Sequence, residues 1–244
     1  MGQSFDSRET RDFARETKFL VKSSAVDDLR AWARARLGRD PYGAGEHGDG
    51  YATTSLYFDT PAFDVYRRNL SHARGKFRIR RYGRLDFIFL ERKMRTDRLL
   101  AKRRTTVALE GLQRIAEPEA DPTWPGYWFH RRVIFRGLRP VVQISYERTA
   151  RLSLLNGSPL RFTIDTNLRV LPMPDRAFLP GTGLPMIDGQ AIVEMKYRFE
   201  LPALFKEAAE IFQLQPVQIS KYRLGFDALH LALPPDGEHL SPLA

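Results

Sequence analysis

Cysteine is absent from the chain, which excludes disulfides, thiolate metal sites and cysteine nucleophiles. That absence fits a reducing compartment, and a cytoplasmic location is the expectation. The five histidines are scattered, with no metal-ligand spacing such as His-x-x-x-His. No apolar run approaches the length of a membrane span. The N-terminal stretch MGQSFDSRETRDFARE is charged and lacks the apolar centre of a signal peptide. It places Asp6 where a myristoylation signal needs Ser or Thr. No repeat at a solenoid period, low-complexity tract or mid-chain linker is visible. The Gly-rich stretch RDPYGAGEHGDG lacks the Lys-Ser/Thr ending of a P-loop and reads as a plain flexible loop.

What is present is positive charge. The 244 residues carry 39 Lys and Arg against 29 Asp and Glu, a formal net charge of +10. Such a balance favours polyanionic partners: nucleic acid, phosphorylated ligands or acidic lipid. With 43% hydrophobic residues the chain can bury a sizeable core. Period-two patterning predicts strands over RETKFLVK, TTSLYFD, GKFRIRRYG, LDFIFLERKMR and DRLLAKRRTTVAL. It predicts others over PVVQISYERTAR, LRFTIDTNLRVL and AIVEMKYRFE. Gly83 and Thr96-Asp97 mark turns of an antiparallel meander, and NGSP marks a hairpin. Helical spacing is seen in SAVDDLRAWARARLG, TPAFDVYRRNL, WPGYWFHRRVIF, PALFKEAAEIFQL and SKYRLGFDALHLAL. The Pro/Gly-rich PMPDRAFLPGTGLPMIDGQ is a long loop. One domain over residues 15–230 is expected, with flexible ends over 1–14 and 231–244.

Nearly every strand is charged on one face and apolar on the other. Arg78, Arg80 and Tyr82 oppose Phe77 and Ile79. Glu91, Lys93 and Arg95 oppose Leu90, Arg92 and Met94. Arg161, Thr163, Asp165, Asn167 and Arg169 oppose Phe162, Ile164, Leu168 and Val170. Glu194, Lys196 and Arg198 oppose Val193, Met195, Tyr197 and Phe199. Two arrangements satisfy this pattern. The charged faces meet water, as in an ordinary one-sided antiparallel sheet, or the sheet closes into a barrel with the charges inside and helices on its apolar exterior. The charged faces are dense in Arg and Lys with isolated Glu, a mix suited to phosphate groups and a bridging cation.

The motifs ETKFLV, SLYFDT, KFRIRRYG, FLERK, YERTA, RFTID, VEMKY and SKYRLG occur in an order that resembles the VTC domain. That is the polyphosphate polymerase domain of the vacuolar transporter chaperone family, within the triphosphate tunnel metalloenzymes. The resemblance implies an α+β fold: a closed antiparallel β-barrel of about eight strands, with a charged interior and helices packed outside. It implies transfer of the γ-phosphoryl group of ATP to polyphosphate, with Mn2+ or Mg2+. It makes Lys18, Arg78, Arg80, Lys93, Arg148, Lys196 and Lys221 the tunnel bases, with Tyr82 and Arg161 beside the substrate. Glu194, Glu16 and Asp165 become the candidate metal ligands. The expected partners are ATP or another triphosphate and polyphosphate, without nucleic acid; a membrane partner encoded elsewhere stays open. Two alternatives remain. One is a triphosphatase, disfavoured because Ala14 stands where those enzymes carry the first acid of Glu-x-Glu-x-Lys. The other is a non-catalytic binder of polyphosphate or inositol pyrophosphate.

Overall fold

The computed structural model describes residues 6–10, 15–69, 72, 75–95, 100–173 and 176–231. The first strands are β1 (Asp6–Thr10) and β2 (Arg15–Lys22), followed by helix α1 (Val26–Arg36) and the short β3 (Gly38–Arg39). Next come β4 (Gly50–Asp59), α2 (Asp64–Arg67), and the meander β5 (Gly75–Tyr82), β6 (Phe87–Arg95) and β7 (Leu100–Ala108). Helices α3 (Gly111–Arg114) and α4 (Tyr127–Phe135) lead to the long hairpin β8 (Arg139–Leu155) and β9 (Ser158–Pro172). The chain ends with β10 (Leu184–Pro185), β11 (Gln190–Tyr197), α5 (Ala203–Ile211) and α6 (Lys221–Leu231). The β8–β9 turn holds Asn156 and Gly157 at φ 50° and 74°, the left-handed pair that a tight hairpin needs.

All eleven strands belong to one antiparallel sheet, ordered β1-β7-β6-β5-β4-β8-β9-β11-β2, with β10 beside β9 and β3 beside β8. The expected closed barrel is corrected here: no pairing among the described residues joins the two ends of that order. The two ends differ: β1 is itself the last strand at one, and a loop segment lies along β2 at the other. Asp6–Thr10, expected to be flexible, pairs with β7. Beside β2, Val217 donates its N–H to the Lys18 carbonyl at 2.8 Å, and Phe19 bridges Pro216. Residues 1–5, 11–14 and 232–244 of the expected flexible ends, and the Thr96-Asp97 turn, lie outside the described residues. The sheet still curves strongly. Lys93 of β6 reaches across to Glu16 of β2 at 2.5 Å.

Alternation along the strands sorts the apolar side chains to the convex face, where helices cover them. Phe19, Phe162, Ile164, Val193 and Met195 pack under α1 and α5 through Leu29, Trp32 and Phe205. Leu56, Phe58, Phe77, Ile79, Ile88 and Leu90 pack under α3 and α4 through Leu112, Phe129 and Val133. Each such side chain contributes on the order of 1.5–3 kcal/mol when fully removed from water.

The expectation that helices cover only the exterior fails for α6. Tyr222 of α6 joins Tyr57, Val142, Ile144, Leu168, Val170 and Ile192 in a third cluster on the concave face. Two local features make this possible. Asn167 adopts φ 51°, and the β8–β9 register shifts between Ser145 and Glu147. The resulting bulge turns Leu168 and Val170 to the face that Asp165 occupies, against the simple alternation expected for β9. In α6, a Cβ on Gly225 would lie 3.0 Å from Ile144 Cδ1 and 3.1 Å from Val170 Cγ2, so glycine permits the close approach. One end of the concave face is therefore apolar and closed by a helix. The other end holds the charges.

Candidate functional site

The charged end of the concave face forms a cavity of about 940 Å³. Twelve Lys and Arg side chains line it against four Asp and Glu. Of the residues expected at the site, Glu16, Lys18, Arg78, Arg80, Lys93, Arg148, Glu194, Lys196 and Lys221 all line this space. They come from β2, β5, β6, β8, β11 and the first residue of α6, so the fold assembles them from across the sequence. Tyr82, Arg161 and Asp165 do not line it.

Two carboxylate-centred clusters organise the cations. In the first, Glu91 of β6 is 1% exposed and accepts from Arg78 Nε at 2.6 Å and Arg104 Nε at 2.7 Å. Lys102 Nζ stands 2.6 Å from the same carboxylate. Burial opposes ionisation of Glu91, yet Arg104, Arg78 and Lys102 hold its pKa well below the usual carboxylate range. Burial, together with Arg104 and Arg78, pulls Lys102 down to about 7 against the attraction of Glu91. Arg104 Nη2 also donates to Tyr82 OH at 3.1 Å. Burial works to raise that phenol, but Arg104 and Arg80 bring it down to about 6. Tyr82 thus supports the site from behind.

In the second cluster, Arg148 clasps Asp165 through Nε at 2.6 Å and Nη2 at 2.7 Å. Lys221 lies 2.6 Å from Asp165 and 2.7 Å from Glu194. Lys196 is 3.2 Å from Glu194, and Lys18 is 3.2 Å from Glu16 and 3.9 Å from Glu194. Burial opposes charge on Glu194, but Lys221, Lys196, Lys18 and Arg148 hold it ionised well below the usual range. Burial, with Arg148 and Arg161, brings Lys196 down to about 8 despite the nearby carboxylates. Asp165 is wholly buried, with its two oxygens engaged by Arg148 and Lys221. It orients bases instead of facing the cavity. Arg161 turns to Asp40 at 2.8 Å and Tyr51 OH at 2.7 Å, anchoring the Gly-rich loop.

Arg80 differs from Arg78, Arg104, Arg148 and Arg161. It is 3% exposed and its Nε donates to Ser55 Oγ at 3.0 Å, yet no carboxylate lies within ion-pair distance among the described residues. Glu91, already shared with Arg78, Arg104 and Lys102, acts on it only from beyond that distance, and a buried guanidinium without a directly paired counter-charge is costly unless a ligand supplies one. Tyr146 lies beneath it: its ring centroid is 6.0 Å from the Arg80 guanidinium carbon, and its buried hydroxyl has no hydrogen-bond partner. An anion in the cavity would satisfy both groups.

Among the described residues no cluster of three or more His, Asp or Glu side chains is arranged to hold a metal by itself. Glu16 and Glu194 face the cavity on either side of Lys18. Two carboxylates suit a hard cation whose remaining ligands are phosphate oxygens and water.

Lys76, Lys102 and Tyr146 line the cavity and Arg104 holds Glu91 beside it, but none was among the expected residues. Period two in LAKRRTTVA already sets Lys102 and Arg104 on one face, opposite Thr105 and Val107. Lys76 precedes Arg78 by two residues and donates to Ser220 Oγ at 2.8 Å. Burial, with Lys18, Lys93 and Arg68, lowers Lys76 to about 8. The expectations for Arg198 and Phe199 are corrected. Both lie beyond β11, Phe199 is 65% exposed, and the Arg198 guanidinium stacks 5.1 Å from its ring.

No curated protein matches the chain. Among solved structures, a candidate adenylate cyclase from Bacillus halodurans superposes with a TM-score of 0.53 at 16% identity, over 85% of this chain and 94% of that one. A candidate adenylyl cyclase from Hippeastrum, described as having a dominant triphosphatase activity, gives 0.46 at 15% identity, over 87% and 94%. At such identity the Bacillus likeness is one of fold alone. The VTC domain family matches residues 13–230, nearly the whole described structure, and the chain belongs to that family.

Proposed function

We propose that the chain is a metal-dependent polyphosphate polymerase that transfers the γ-phosphoryl group of ATP to a growing polyphosphate chain in the basic cavity. The observation that carries this reading is Arg80, a buried cation with no carboxylate within ion-pair distance among the described residues, next to Arg78 in a cavity with a large excess of bases. Arg78 and Arg80 project from one face of β5, roughly 6.5–7 Å apart, a spacing that suits neighbouring phosphates. Their guanidinium forks can bind oxygens bidentately. A triphosphate brings about four negative charges near neutral pH, enough to offset a large part of the excess.

Phosphoryl transfer through a loose transition state asks for positioning and charge stabilisation more than for covalent chemistry. The bond from the γ-phosphorus to the bridging oxygen breaks. A terminal oxygen of the polyphosphate acceptor forms the new bond, and ADP leaves. Arg78, Arg80 and Arg148 hold equatorial oxygens, while Lys18, Lys93, Lys196 and Lys221 supply point charges from other strands. A bound Mn2+ or Mg2+ would neutralise phosphate charge, and Glu194 with Glu16 would hold it. No side chain needs to become phosphorylated.

One observation favours hydrolysis instead. Because α6 closes the apolar end of the concave face, the space suits a short triphosphate whose acceptor is water. Incubation with ATP and Mn2+, with products separated on a gel, decides. Long polyphosphate supports polymerisation, and orthophosphate alone supports a triphosphatase. Tight polyphosphate binding without turnover makes the chain a binding protein. No helix among the described residues is long and apolar enough to cross a membrane.

A further inference from the structure

The face of α4 turned away from the sheet has no role in the cavity. Its inner residues Phe129, His130 and Val133 are buried, and the two apolar ones lie in the core beneath. Its outer residues are Arg131, Arg132, Ile134 and Phe135, all exposed. Phe135 is 80% exposed, the largest exposure among the exposed large apolar side chains of the described residues, and Ile134 beside it is 41% exposed. On the helix surface Arg131 lies one turn from Phe135, and Arg132 three residues from it, so the arginines flank the ring. A shallow pocket of about 310 Å³ adjoins the patch, with Val133, Ile134 and Leu138 on its apolar side and Arg139 and Arg176 on its basic side. Glu117 is the acidic residue of that pocket. Arg176 donates to the Ala116 carbonyl at 3.1 Å, which fixes the loop beside it.

We propose that this face docks on a membrane surface carrying anionic headgroups. An exposed phenyl ring and an isoleucine flanked by arginines match the two layers of such a surface. The guanidiniums meet headgroup phosphates while Phe135 and Ile134 enter the headgroup–acyl boundary. A nucleic-acid backbone would satisfy the arginines but offers no apolar layer for Ile134. The patch lies on the convex side, so docking leaves the concave cavity uncovered.

The test is co-sedimentation of the full chain with phosphatidylcholine vesicles, with and without phosphatidylserine. Saturating tripolyphosphate is added so that the cavity cannot contribute. The chain should pellet with the anionic vesicles, stay in solution with the neutral ones, and be released by salt. Arg131→Gln with Arg132→Gln should weaken the binding about 25-fold, near fivefold for each charge. Phe135→Ser should weaken it about tenfold or more. Each variant should keep the wild-type melting temperature and tripolyphosphate affinity. If the chain ignores both vesicle types, the proposal falls and the face is left to a protein partner. Binding that tripolyphosphate abolishes, or that the variants retain in full, assigns it to the cavity or another surface and overturns the proposal equally.

Discussion

Glu91→Gln removes one negative charge from the centre of the first cluster with almost no change of shape. In the native chain this carboxylate, 1% exposed, holds Arg78, Arg104 and Lys102 at 2.6–2.7 Å. Without it, three cations face one another in a buried space. Removing one partner of a buried ion pair costs about 3–5 kcal/mol. In a domain of this size each kcal/mol moves the melting midpoint by about 2–4 °C, so the variant should melt on the order of 10 °C lower. Tripolyphosphate returns negative charge to the same cavity. The deficit of the variant should therefore shrink at saturating ligand, because the anion replaces what the substitution removed. Thermal unfolding followed by tryptophan fluorescence, with and without ligand, measures both effects. A variant that melts with the wild type, or that loses the same amount with and without ligand, would refute this account of the cluster.

Other expectations follow from the same geometry. Lys102 at about 7 and Lys76 and Lys196 at about 8 are partly neutral in the empty site, and a bound polyanion favours their charged forms. Binding at pH 8 should take up protons, and affinity should fall as pH rises from about 7. Calorimetry in buffers of different ionisation enthalpy would show the uptake, and its absence would contradict the titration. Glu91, Glu194 and Asp165 are held below their ordinary values, so their contribution is present above about pH 4.5 and lost as pH falls further. Acid unfolding should begin earlier in Arg148→Ala, which leaves Asp165 with Lys221 alone. Tyr222 donates to Asp59 at 2.5 Å, and Asp59 also accepts from the Val65 and Tyr66 N–H groups. Tyr222→Phe should cost about 1.5–3 kcal/mol. It should also speed hydrogen exchange in α6 before the sheet is affected.

Much of the fold was legible because strands and helices carry different periods. The β5 run KFRIRRY shows Arg78 and Arg80 opposite Phe77 and Ile79, and the structure keeps that division. What one strand cannot show is which face is concave, because both arrangements obey the same alternation. Departures from period two hid the rest. The bulge at Asn167 moves Leu168 and Val170 to the other face, and the one hint of it in LRFTIDTNLRVL is Asn167, a residue type that tolerates positive φ. Ile144 shares a face with Arg148, so this strand does not divide cleanly into a charged and an apolar side. The reason is that α6, a segment some eighty residues later, covers the apolar half of the concave surface. Sheet closure was equally hidden, since it depends on which segment takes the edge of β2, and Pro216–Val217 takes it. Lys102 and Arg104 were within reach of the pattern, but Arg103 between them puts a charge on the other face as well, so LAKRR does not divide cleanly.

Titration of tripolyphosphate into the wild-type chain and into the Arg78→Ala, Arg80→Ala double variant tests the central claim most directly. The concave cavity as a triphosphate site predicts saturable binding by the wild type and a loss of at least about 100-fold in the variant, since two charge-assisted contacts of about 1.5–3 kcal/mol each disappear. Equal affinity for the two proteins would place the ligand elsewhere and contradict the account.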